Sequence, residues 1–418
     1  MVRPLLCLML AGLPAEALMS TLSSPLPDAL RLLDGTPVTT PDQWTAQRRG
    51  ELLRLFADHM YGHVPPAPAH LKATVHGCDE HWLGGTATLK EVELTFAPDP
   101  VPPLHLLMAV PNRREGRVPV FVGLNFDGNH TLVESPVPAV PTAWMRDGSP
   151  AVVDHRATEA GRGTHLTTYP FADAVRRGYA MASLYYGEIV PDDPHATTGV
   201  RAAYPSYDWG CIAAWAWGLS RAVDYLVTDP AIDPEAIAVV GHSRNGKAAM
   251  VCGATDERVA LTIPCQAGCG GTAPSRGLIG ESVQRINTAF PHWFNADFKT
   301  YNEHTDRLPM DQHELLALCA PRPVLFTCAD EDTWANPVGQ FEMMQAATPV
   351  YELLGVEGLE ASEPPADGHL VNSRLGYFVR SGKHAMDERE WPAFFAFADQ
   401  WLRRSQRAAP VGPRPEVG

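Results

Sequence analysis

The chain has 418 residues, of which 45% are hydrophobic and 19% charged, a composition typical of a globular protein with a large core. Its formal net charge of −15 argues against a nucleic-acid partner, because such a chain has no excess of cations to neutralise a run of phosphates. No stretch approaches the apolar length of a membrane span, so we expect a mature protein without a membrane-spanning segment.

The two ends of the chain differ in composition from the rest. The start, MVRPLLCLMLAGLPAEAL, has an early arginine, a short apolar run and a small-residue cleavage site. This pattern predicts a signal peptide over residues 1–19 and a secreted or periplasmic protein, the alternative being an ordinary amphipathic lead-in. The Pro-rich tail over residues 407–418 predicts disorder. The eight cysteines lack CxxC spacing and mostly lie in apolar runs, which favours small buried side chains and leaves one or two disulfides open.

Between these ends, the pattern predicts an N-terminal extension and one catalytic domain. The extension, residues 20–65, contains the helical QRRGELLRLFADHMYG. Residues about 70–112 alternate apolar and polar side chains, which is typical of an antiparallel edge of a sheet. The catalytic domain is predicted over residues 66–406.

From residue 118 onward, continuous apolar runs alternate with helical segments. The helices include FADAVRR, CIAAWAWGLSRAVDYL and the closing EWPAFFAFADQWLRR. Such alternation predicts a mostly parallel sheet covered by helices on both faces. The predicted buried strands are VPVFVGLNF, RGYAMASLYY, AIAVVGHS, ALTIPCQAG, RPVLFTCAD and LGYFVRSG.

The chemistry centres on IAVVGHSRNGKAAM, where a hydrophobic strand runs into Ser243 and a helix follows. A serine hydroxyl is a poor nucleophile unless it is exposed beside a base and near donors that stabilise an oxyanion. A sharp turn from strand to helix supplies these conditions. The common motif is G-x-S-x-G, whereas this chain has Asn245 in the place of the second glycine. We therefore predict that Ser243 is the nucleophile of a serine hydrolase.

An acid and a base follow the serine in the chain order of α/β-hydrolases. Asp330, Glu331 and Asp332 come directly after one predicted strand, and His384 comes after the last. The carboxyl ends of parallel strands are where open α/β sheets form their sites, so these side chains should meet there. His384 is the predicted base, with His369 as a weaker rival.

The motif GHSRNGK resembles that of the glucuronoyl esterases, carbohydrate esterase family 15, which carry G-C/H-S-R-x-G-K. Further segments that look like the family extend the resemblance over roughly residues 30–405. It implies an α/β-hydrolase fold, a three-layer sandwich with a mostly parallel central sheet. The similar segments are GLNFDGNH, YYGEIVPD, FPHWF, LPMDQHELLALCAPRPVL and DTWANPVGQF.

Carried onto this chain, the resemblance implies a role for each residue that matches a family motif. Ser243 is the nucleophile, His384 the general base, and Arg244 stabilises the oxyanion with its backbone N–H and its guanidinium. Four further side chains are implied to contact the sugar of the substrate. They are Lys247, Glu281, Gln284 and Trp334.

The chain departs from the family pattern at the usual acid. Many members have a glutamate where this chain has Gln266, and glutamine cannot carry the charge that stabilises an imidazolium. Other members have the acid after the later strand, in D-x-W, which Asp332 of DTWANP matches. We therefore predict Asp332 as the triad acid, with Asp330 and Glu331 as alternatives.

Two other departures concern the cleft and the disulfides. Family members often have Arg-Trp where this chain has Thr168-Tyr169, so we expect part of the substrate-binding surface to differ. His242 replaces a cysteine that fungal members pair in a disulfide, so that bridge is absent.

The resemblance implies hydrolysis of the ester between 4-O-methyl-D-glucuronate of glucuronoxylan and a lignin alcohol, through a glucuronoyl-serine intermediate. No metal or other cofactor is needed, and we expect a monomer. One alternative is a polysaccharide acetyl esterase. Another is a non-catalytic carbohydrate-binding relative, which the replacement by Gln266 suggests.

Overall fold

The structure is a computed structural model that describes residues 21–403. The predicted signal peptide, residues 1–19, and the predicted tail, residues 407–418, lie outside the described residues. One ten-stranded sheet runs through the described part, with hydrophobic clusters between each of its faces and the covering helices. This confirms the predicted three-layer α/β-hydrolase architecture.

The strands of the sheet follow the predicted order along the chain. They are β1 (His70–His81), β2 (Ala87–Ala97), β3 (Leu104–Pro111), β4 (Val118–Asn125), β5 (Ala180–Tyr185), β6 (Ile232–His242), β7 (Leu261–Cys265), β8 (Val324–Ala329), β9 (Leu370–Val371) and β10 (Leu375–Arg380). A separate two-stranded hairpin pairs Val152–Val153 with Arg156–Ala157.

In space the order is β1-β2-β3-β5-β4-β6-β7-β8-β10-β9. The contacts from β5 through β10 are parallel, whereas β1, β2 and β3 form an antiparallel edge and β9 pairs antiparallel with β10. The alternating pattern of residues 70–112 thus correctly predicted the antiparallel edge.

Helices cover both faces because successive side chains of a buried strand point to opposite sides. In β4, Val120 and Val122 join the hydrophobic cluster that contains Trp215, whereas Phe121 packs in the opposite cluster against Phe395 at a ring distance of 5.6 Å. A strand with apolar residues on both sides therefore has no solvent-facing side, which explains its continuous apolar sequence.

The longer helices are α1 (Arg49–Phe56), α2 (Phe171–Arg176), α3 (Cys211–Leu226), α4 (Ser243–Thr255), α5 (Val283–Ala289), α6 (Gln312–Ala317), α7 (Pro337–Leu353) and α8 (Trp391–Trp401). Shorter helical turns cover Pro41–Gln43, Trp44–Arg48, Ala57–Tyr61, Trp82–Gly85, Asn129–Leu132, Glu159–Gly161, Tyr186–Ile189, Val200–Ala203, Asp297–Tyr301, Thr305–Arg307 and Thr333–Ala335. Within residues 21–403, none of the helices has both the length and the apolar character needed to cross a bilayer.

The predicted N-terminal extension packs into the same core as the sheet. Trp44, Leu52 and Met60 are buried in the cluster that also holds side chains of β4 and β6. Arg48 forms a buried ion pair with Glu314 of α6 at 2.7 Å, with side chains only 3% and 0% exposed. The extension is therefore joined to the sheet-bearing part by both apolar contacts and a buried ion pair.

We expect Arg48→Met to lower the free energy of unfolding by about 3–5 kcal/mol, because the buried Glu314 loses its cation and must either stay ionised without a partner or take up a proton. Burial already raises the pKa of this carboxyl to about 7, against the charge of Arg48. The matched control is Arg31→Met, which removes an exposed pair with Asp28 and should cost about 0–1 kcal/mol. Denaturant unfolding measures both. A loss for Arg48→Met as small as that of the control would contradict the coupling between the extension and α6.

Candidate active site

The predicted nucleophile lies on a sharp turn between β6 and α4. β6 ends at His242 and α4 begins at Ser243, whose φ of +57° lies in the left-handed region. Residues other than glycine rarely adopt this conformation, which persists only where the surrounding structure imposes it. Gly241 lets the turn close, since a Cβ there would lie 2.2 Å from the carbonyl oxygen of Asn245. This local geometry agrees with the predicted turn from strand to helix.

Asn245, which replaces the usual second glycine, ties this turn to β4. Its side chain is buried and its Nδ2 donates a hydrogen bond to the carbonyl oxygen of Leu124 at 3.1 Å. The hydroxyl of Tyr169 donates to the same carbonyl at 2.9 Å. Tyr169 is thus a core residue behind the turn and does not line the cleft, so of the pair Thr168-Tyr169 the tyrosine does not bring about the expected difference in the substrate-binding surface.

The predicted base and acid are in direct contact. Nδ1 of His384 lies 2.6 Å from Oδ2 of Asp332, and the carboxylate is buried while the imidazole is 38% exposed. They follow β10 and β8, which are parallel neighbours, so their loops emerge together. With Nδ1–H bound to the carboxylate, Nε2 of the neutral ring can accept a proton. Ser243 and His384 both line one cleft of about 260 Å³.

The alternative acids and base lie elsewhere. Asp330 accepts hydrogen bonds from the backbone N–H of Gly382 at 2.8 Å and from Oγ of Ser381 at 3.2 Å, so it braces the loop that carries the base. Glu331 and His369 are exposed and do not line the cleft. Of the three candidate carboxylates, only that of Asp332 bonds to the imidazole of the predicted base.

A second imidazole packs against the base. The rings of His242 and His384 lie 4.5 Å apart between centroids. Burial, followed by the charge of His384, lowers the pKa of His242 to about 3, so His242 is neutral near pH 7. The sequence had indicated only that this residue replaces a cysteine.

The guanidinium of Arg244 is anchored by a carboxylate that sequence reasoning missed. It forms an ion pair with Asp192, and its central carbon lies 4.8 Å from the ring centre of Trp293 and 5.4 Å from that of Phe290. Asp192 also accepts hydrogen bonds at 2.8 Å from Nε1 of Trp293 and Nε2 of His292. One buried carboxylate thus holds the cation next to the nucleophile.

The charge of Asp192 persists at any pH near neutrality. Burial raises the pKa of this carboxyl, but the hydrogen bond from His292, the charge of Arg244 and the bond from Trp293 outweigh burial and lower the pKa to about 2. Asp192 belongs to YYGEIVPD, shortly after β5. Its position after a parallel strand was a signal that could have pointed to Asp192, but the sequence alone suggested no role for the segment YYGEIVPD.

Lys247 and Glu281 form the polar part of the cleft. Nζ of Lys247 donates to the carbonyl oxygens of Ala267 and Cys269, which leaves one ammonium hydrogen for a ligand. Burial lowers the pKa of Lys247 and the charge of Glu281 opposes this shift. Burial likewise raises the pKa of Glu281, against the charge of Lys247. The two side chains are therefore within electrostatic reach of each other.

Aromatic side chains complete the lining. Phe290 and Trp293 stack at 3.8 Å between centroids with their planes 6° apart, and Trp334 is 50% exposed at the rim. The motif FPHWF contains the stacked pair, so the resemblance pointed to this segment without assigning it a role.

Gln284 is the one predicted sugar contact that the structure does not bring to the cleft. It is exposed, and its Nε2 donates to Oε1 of Glu303 at 3.4 Å. The reason is the phase of α5, which turns Val283 and Ile286 into the core and Gln284 outward. The other seven of the eight predicted site residues are at the cleft. Six of them line it, and Asp332 contacts one of these six, His384.

No group of three or more His, Cys, Asp or Glu side chains in the described part of the chain is arranged to hold a metal ion. The seven cysteines at positions 78 and beyond are free, and six of them are buried, in line with the predicted small apolar side chains.

The cleft combines a serine on a strained turn, a carboxylate-bound imidazole and an anchored guanidinium. Such a set is suited to acyl transfer through an anionic tetrahedral intermediate.

Comparisons with known proteins agree with this chemistry. A family model described as "Glucuronyl esterase, fungi" matches residues 174–355. The chain is 44% identical to the carbohydrate esterase MZ0003 from an unknown prokaryotic organism, covering 90% of this chain and 89% of that protein. It is 31% identical to 4-O-methyl-glucuronoyl methylesterase 1 of Wolfiporia cocos, covering 79% of this chain and 72% of the relative.

Two solved structures that resemble this chain are also esterases of this kind. A promiscuous CE15 esterase from a marine bacterial metagenome has a TM-score of 0.85 at 44% identity, covering 90% of this chain and 97% of the other. A glucuronoyl esterase from Solibacter usitatus has a TM-score of 0.85 at 36% identity, covering 91% of this chain and 98% of the other.

We expect Asp332→Asn to lower kcat for an ester substrate by on the order of a thousandfold or more, because the imidazole loses the charge that fixes its tautomer and stabilises its protonated form. Asp330→Asn is the matched control, since it alters the neighbouring carboxylate that braces the same loop. Steady-state kinetics of both variants test the assignment. A silent Asp332→Asn beside a severe Asp330→Asn would reverse it.

We expect Asp192→Asn to lower kcat roughly tenfold to a hundredfold, because Arg244 loses the charge that anchors it near the developing oxyanion. In an Arg244→Ala background, the same change should cost little more, since residues that act as a unit are not additive. Kinetics of the four chains in this cycle provide the measurement. Full additivity of the two losses would mean that Asp192 acts independently of Arg244.

Proposed function

The chain belongs to the glucuronoyl esterases of carbohydrate esterase family 15, which are carboxylic-ester hydrolases, and we propose that Ser243, His384 and Asp332 carry out its hydrolysis of glucuronoyl esters. The observation that carries this proposal is the 2.6 Å contact between His384 and Asp332, at the cleft that Ser243 also lines. It supplies the activated base that a serine nucleophile requires.

The proposed reaction has two acyl-transfer steps. Ser243 attacks the ester carbonyl while Nε2 of His384 takes the hydroxyl proton, and the imidazolium then gives that proton to the departing alcohol. This leaves a glucuronoyl group on Ser243. Water attacks next and gives a proton to His384, and that proton returns to the serine when the free glucuronate leaves. Asp332 stays ionised throughout and stabilises the imidazolium.

Arg244 is proposed to stabilise the tetrahedral intermediate. Its backbone N–H belongs to the first turn of α4, where helix amides lack partners within the helix. Its guanidinium is held by Asp192 and two aromatic rings, so the cation is positioned before the reaction starts. Donors aimed in advance at a developing charge stabilise the transition state more than the ground state.

The cleft supports a glucuronate as the acyl part of the substrate. Lys247 and Glu281 offer a donor and acceptors for sugar hydroxyls, and Trp334 offers a half-exposed ring at the rim. The leaving alcohol must receive its proton from His384, which is 38% exposed. The side on which the alcohol leaves is thus open to solvent. This openness supports a bulky alcohol, and we propose the 4-O-methyl-glucuronate ester of glucuronoxylan with a lignin alcohol.

Two alternative functions, acetyl-ester hydrolysis and non-catalytic carbohydrate binding, differ in how well they are supported. Acetyl-ester hydrolysis stays a second candidate activity, because the solved relative at 44% identity is described as promiscuous. The non-catalytic alternative was suggested by Gln266, and it loses its basis because another carboxylate, Asp332, bonds to the base.

We further propose a secreted or periplasmic monomer. A polymeric cell-wall substrate has to be met outside the cytoplasm, which supports export. The signal peptide predicted to direct it lies outside the described residues.

We expect Ser243→Ala to abolish turnover of benzyl D-glucuronate while binding of glucuronate stays measurable by calorimetry, because the change removes the nucleophile and little else. Ser362→Ala, at an exposed serine away from the cleft, is the matched control and should behave as the wild type. Retained turnover in Ser243→Ala would remove the nucleophile assignment.

The same assay distinguishes the two ester classes. Activity on benzyl D-glucuronate well above that on 4-nitrophenyl acetate supports the glucuronoyl esterase, and the reverse order favours the acetyl esterase.

A further inference from the structure

We propose that Gln266 is a positioning residue for the catalytic base, and that it acts through hydrogen bonds that a carboxylate at the same position could not form. Gln266 occupies the position where many family members have their acid. Its proposed role rests on the proposed triad of Ser243, His384 and Asp332.

The side chain of Gln266 binds both polar groups of the residue that follows the base. Its Oε1 accepts from the backbone N–H of Ala385 at 2.9 Å, and its Nε2 donates to the carbonyl oxygen of Ala385 at 2.8 Å. The orientation of the amide is fixed by these partners, because a backbone N–H only donates and a carbonyl oxygen only accepts. A primary amide is therefore matched at both of its ends.

Gln266 is itself held firmly enough to act as an anchor. It is 1% exposed, directly follows β7, and has a φ of +48°. Its backbone N–H donates to the carbonyl oxygen of Thr327 in β8 at 2.8 Å. The anchor thus belongs to the sheet, and the two bonds to Ala385 connect the sheet to the loop that carries His384.

A second brace holds the same loop from β10. The guanidinium of Arg380 donates to the carbonyl oxygens of Ala385 at 2.9 Å and Lys383 at 3.1 Å, and it pairs with the buried Glu390. The carbonyl of Ala385 therefore accepts from two donors, which fills its two lone pairs. Arg380 cannot bind the N–H of Ala385, so only Gln266 fixes that end of the peptide.

Glutamate at position 266 would break this arrangement. An ionised carboxylate only accepts, so one of its oxygens would face the carbonyl of Ala385 where Nε2 now donates at 2.8 Å. The same oxygen would face the carboxylate of Glu390, which lies 3.4 Å from Nε2. Nδ1 of the base is already bound by Asp332, so the new charge would find no N–H of the base to accept from. The imidazole within its reach is that of His242, whose Nε2 lies 3.4 Å from Oε1 of Gln266.

The family pattern alone would suggest that glutamate at position 266 improves the enzyme, and the hydrogen bonds of Gln266 predict the opposite. Restoring a glutamate at this position should impair the enzyme and should not provide a second acid. Gln266 is one of the residues that line the cleft, but its two short side-chain hydrogen bonds go to the loop of the base and not to Lys247, Glu281 or Trp334. We therefore expect the loss to fall on kcat and not on KM. Small displacements of catalytic groups are costly, with about a hundredfold in rate for a misplacement of about 1 Å.

The experiment compares the wild type with Gln266→Glu, Gln266→Met, Asp332→Asn and the double variant Gln266→Glu/Asp332→Asn on benzyl D-glucuronate. We expect both single changes at 266 to lower kcat about tenfold or more, with KM within about twofold. We expect the double variant to be no more active than Asp332→Asn. The matched control is Gln312→Met, the same change at another buried glutamine, in α6 and away from the cleft, which should keep the wild-type kcat.

Two results would overturn the proposal. One is a double variant at least about tenfold more active than Asp332→Asn, because glutamate at 266 would then serve as the acid. The other is a Gln266→Met enzyme with the wild-type kcat. Thermal unfolding of each variant is measured alongside, and if Gln266→Glu does not fold, Gln266→Met, which adds no charge, decides by its kcat. Ser243→Ala, assayed in parallel, tests the triad separately, since its retained turnover would remove the triad whatever the variants at 266 do.

Discussion

The hydrogen bond from the imidazole of His384 to the carboxylate of Asp332 fixes the tautomer of the proposed base, and the sheet makes this bond possible. β8 and β10 pair in parallel from Val324 opposite Leu375 to Ala329 opposite Arg380, so both strands end at the same level. The loops that follow then run side by side and are joined by the hydrogen bonds that the Asp330 carboxylate accepts from the N–H of Gly382 and the hydroxyl of Ser381. The contact between His384 and Asp332 thus requires the register of β8 and β10 as well as the two side chains.

The sequence predicted what depends on one strand or on the shared edge of the sheet. Continuous apolar runs identified the buried strands, and the predicted acid and base that follow two of these strands, Asp332 and His384, are in contact. The carboxylate partner of Arg244 was not predicted, although an acid after a parallel strand was a signal for it. Asp192 precedes Arg244 by 52 residues, and no local pattern joins them. Gln284 failed for a different reason, because the resemblance gave no information on the rotational phase of the seven-residue helix α5.

Gln266 illustrates how a family pattern can mislead about a single position. Its replacement of an acid suggested a lost function, whereas the buried amide forms two well-matched hydrogen bonds beside the base. A buried polar group is stabilising only when its donors and acceptors are all matched. With Asp332 after β8 already bound to His384, an amide at the end of β7 can form both hydrogen bonds to Ala385, which an ionised carboxylate cannot.

Pairing of charges in the cleft also bears on how the acid product leaves. Arg244 is paired with Asp192, His384 contacts Asp332, and Lys247 lies within electrostatic reach of Glu281. With a neutral imidazole, these groups carry one net negative charge, and with an imidazolium they carry none. The tetrahedral oxyanion exists only while the imidazolium is present, whereas the product carboxylate remains after the proton has left. Because charges interact strongly in a partly desolvated cleft, these six side chains should stabilise the oxyanion beside the imidazolium more than they stabilise the product carboxylate beside the neutral ring, so glucuronate can bind measurably and still leave.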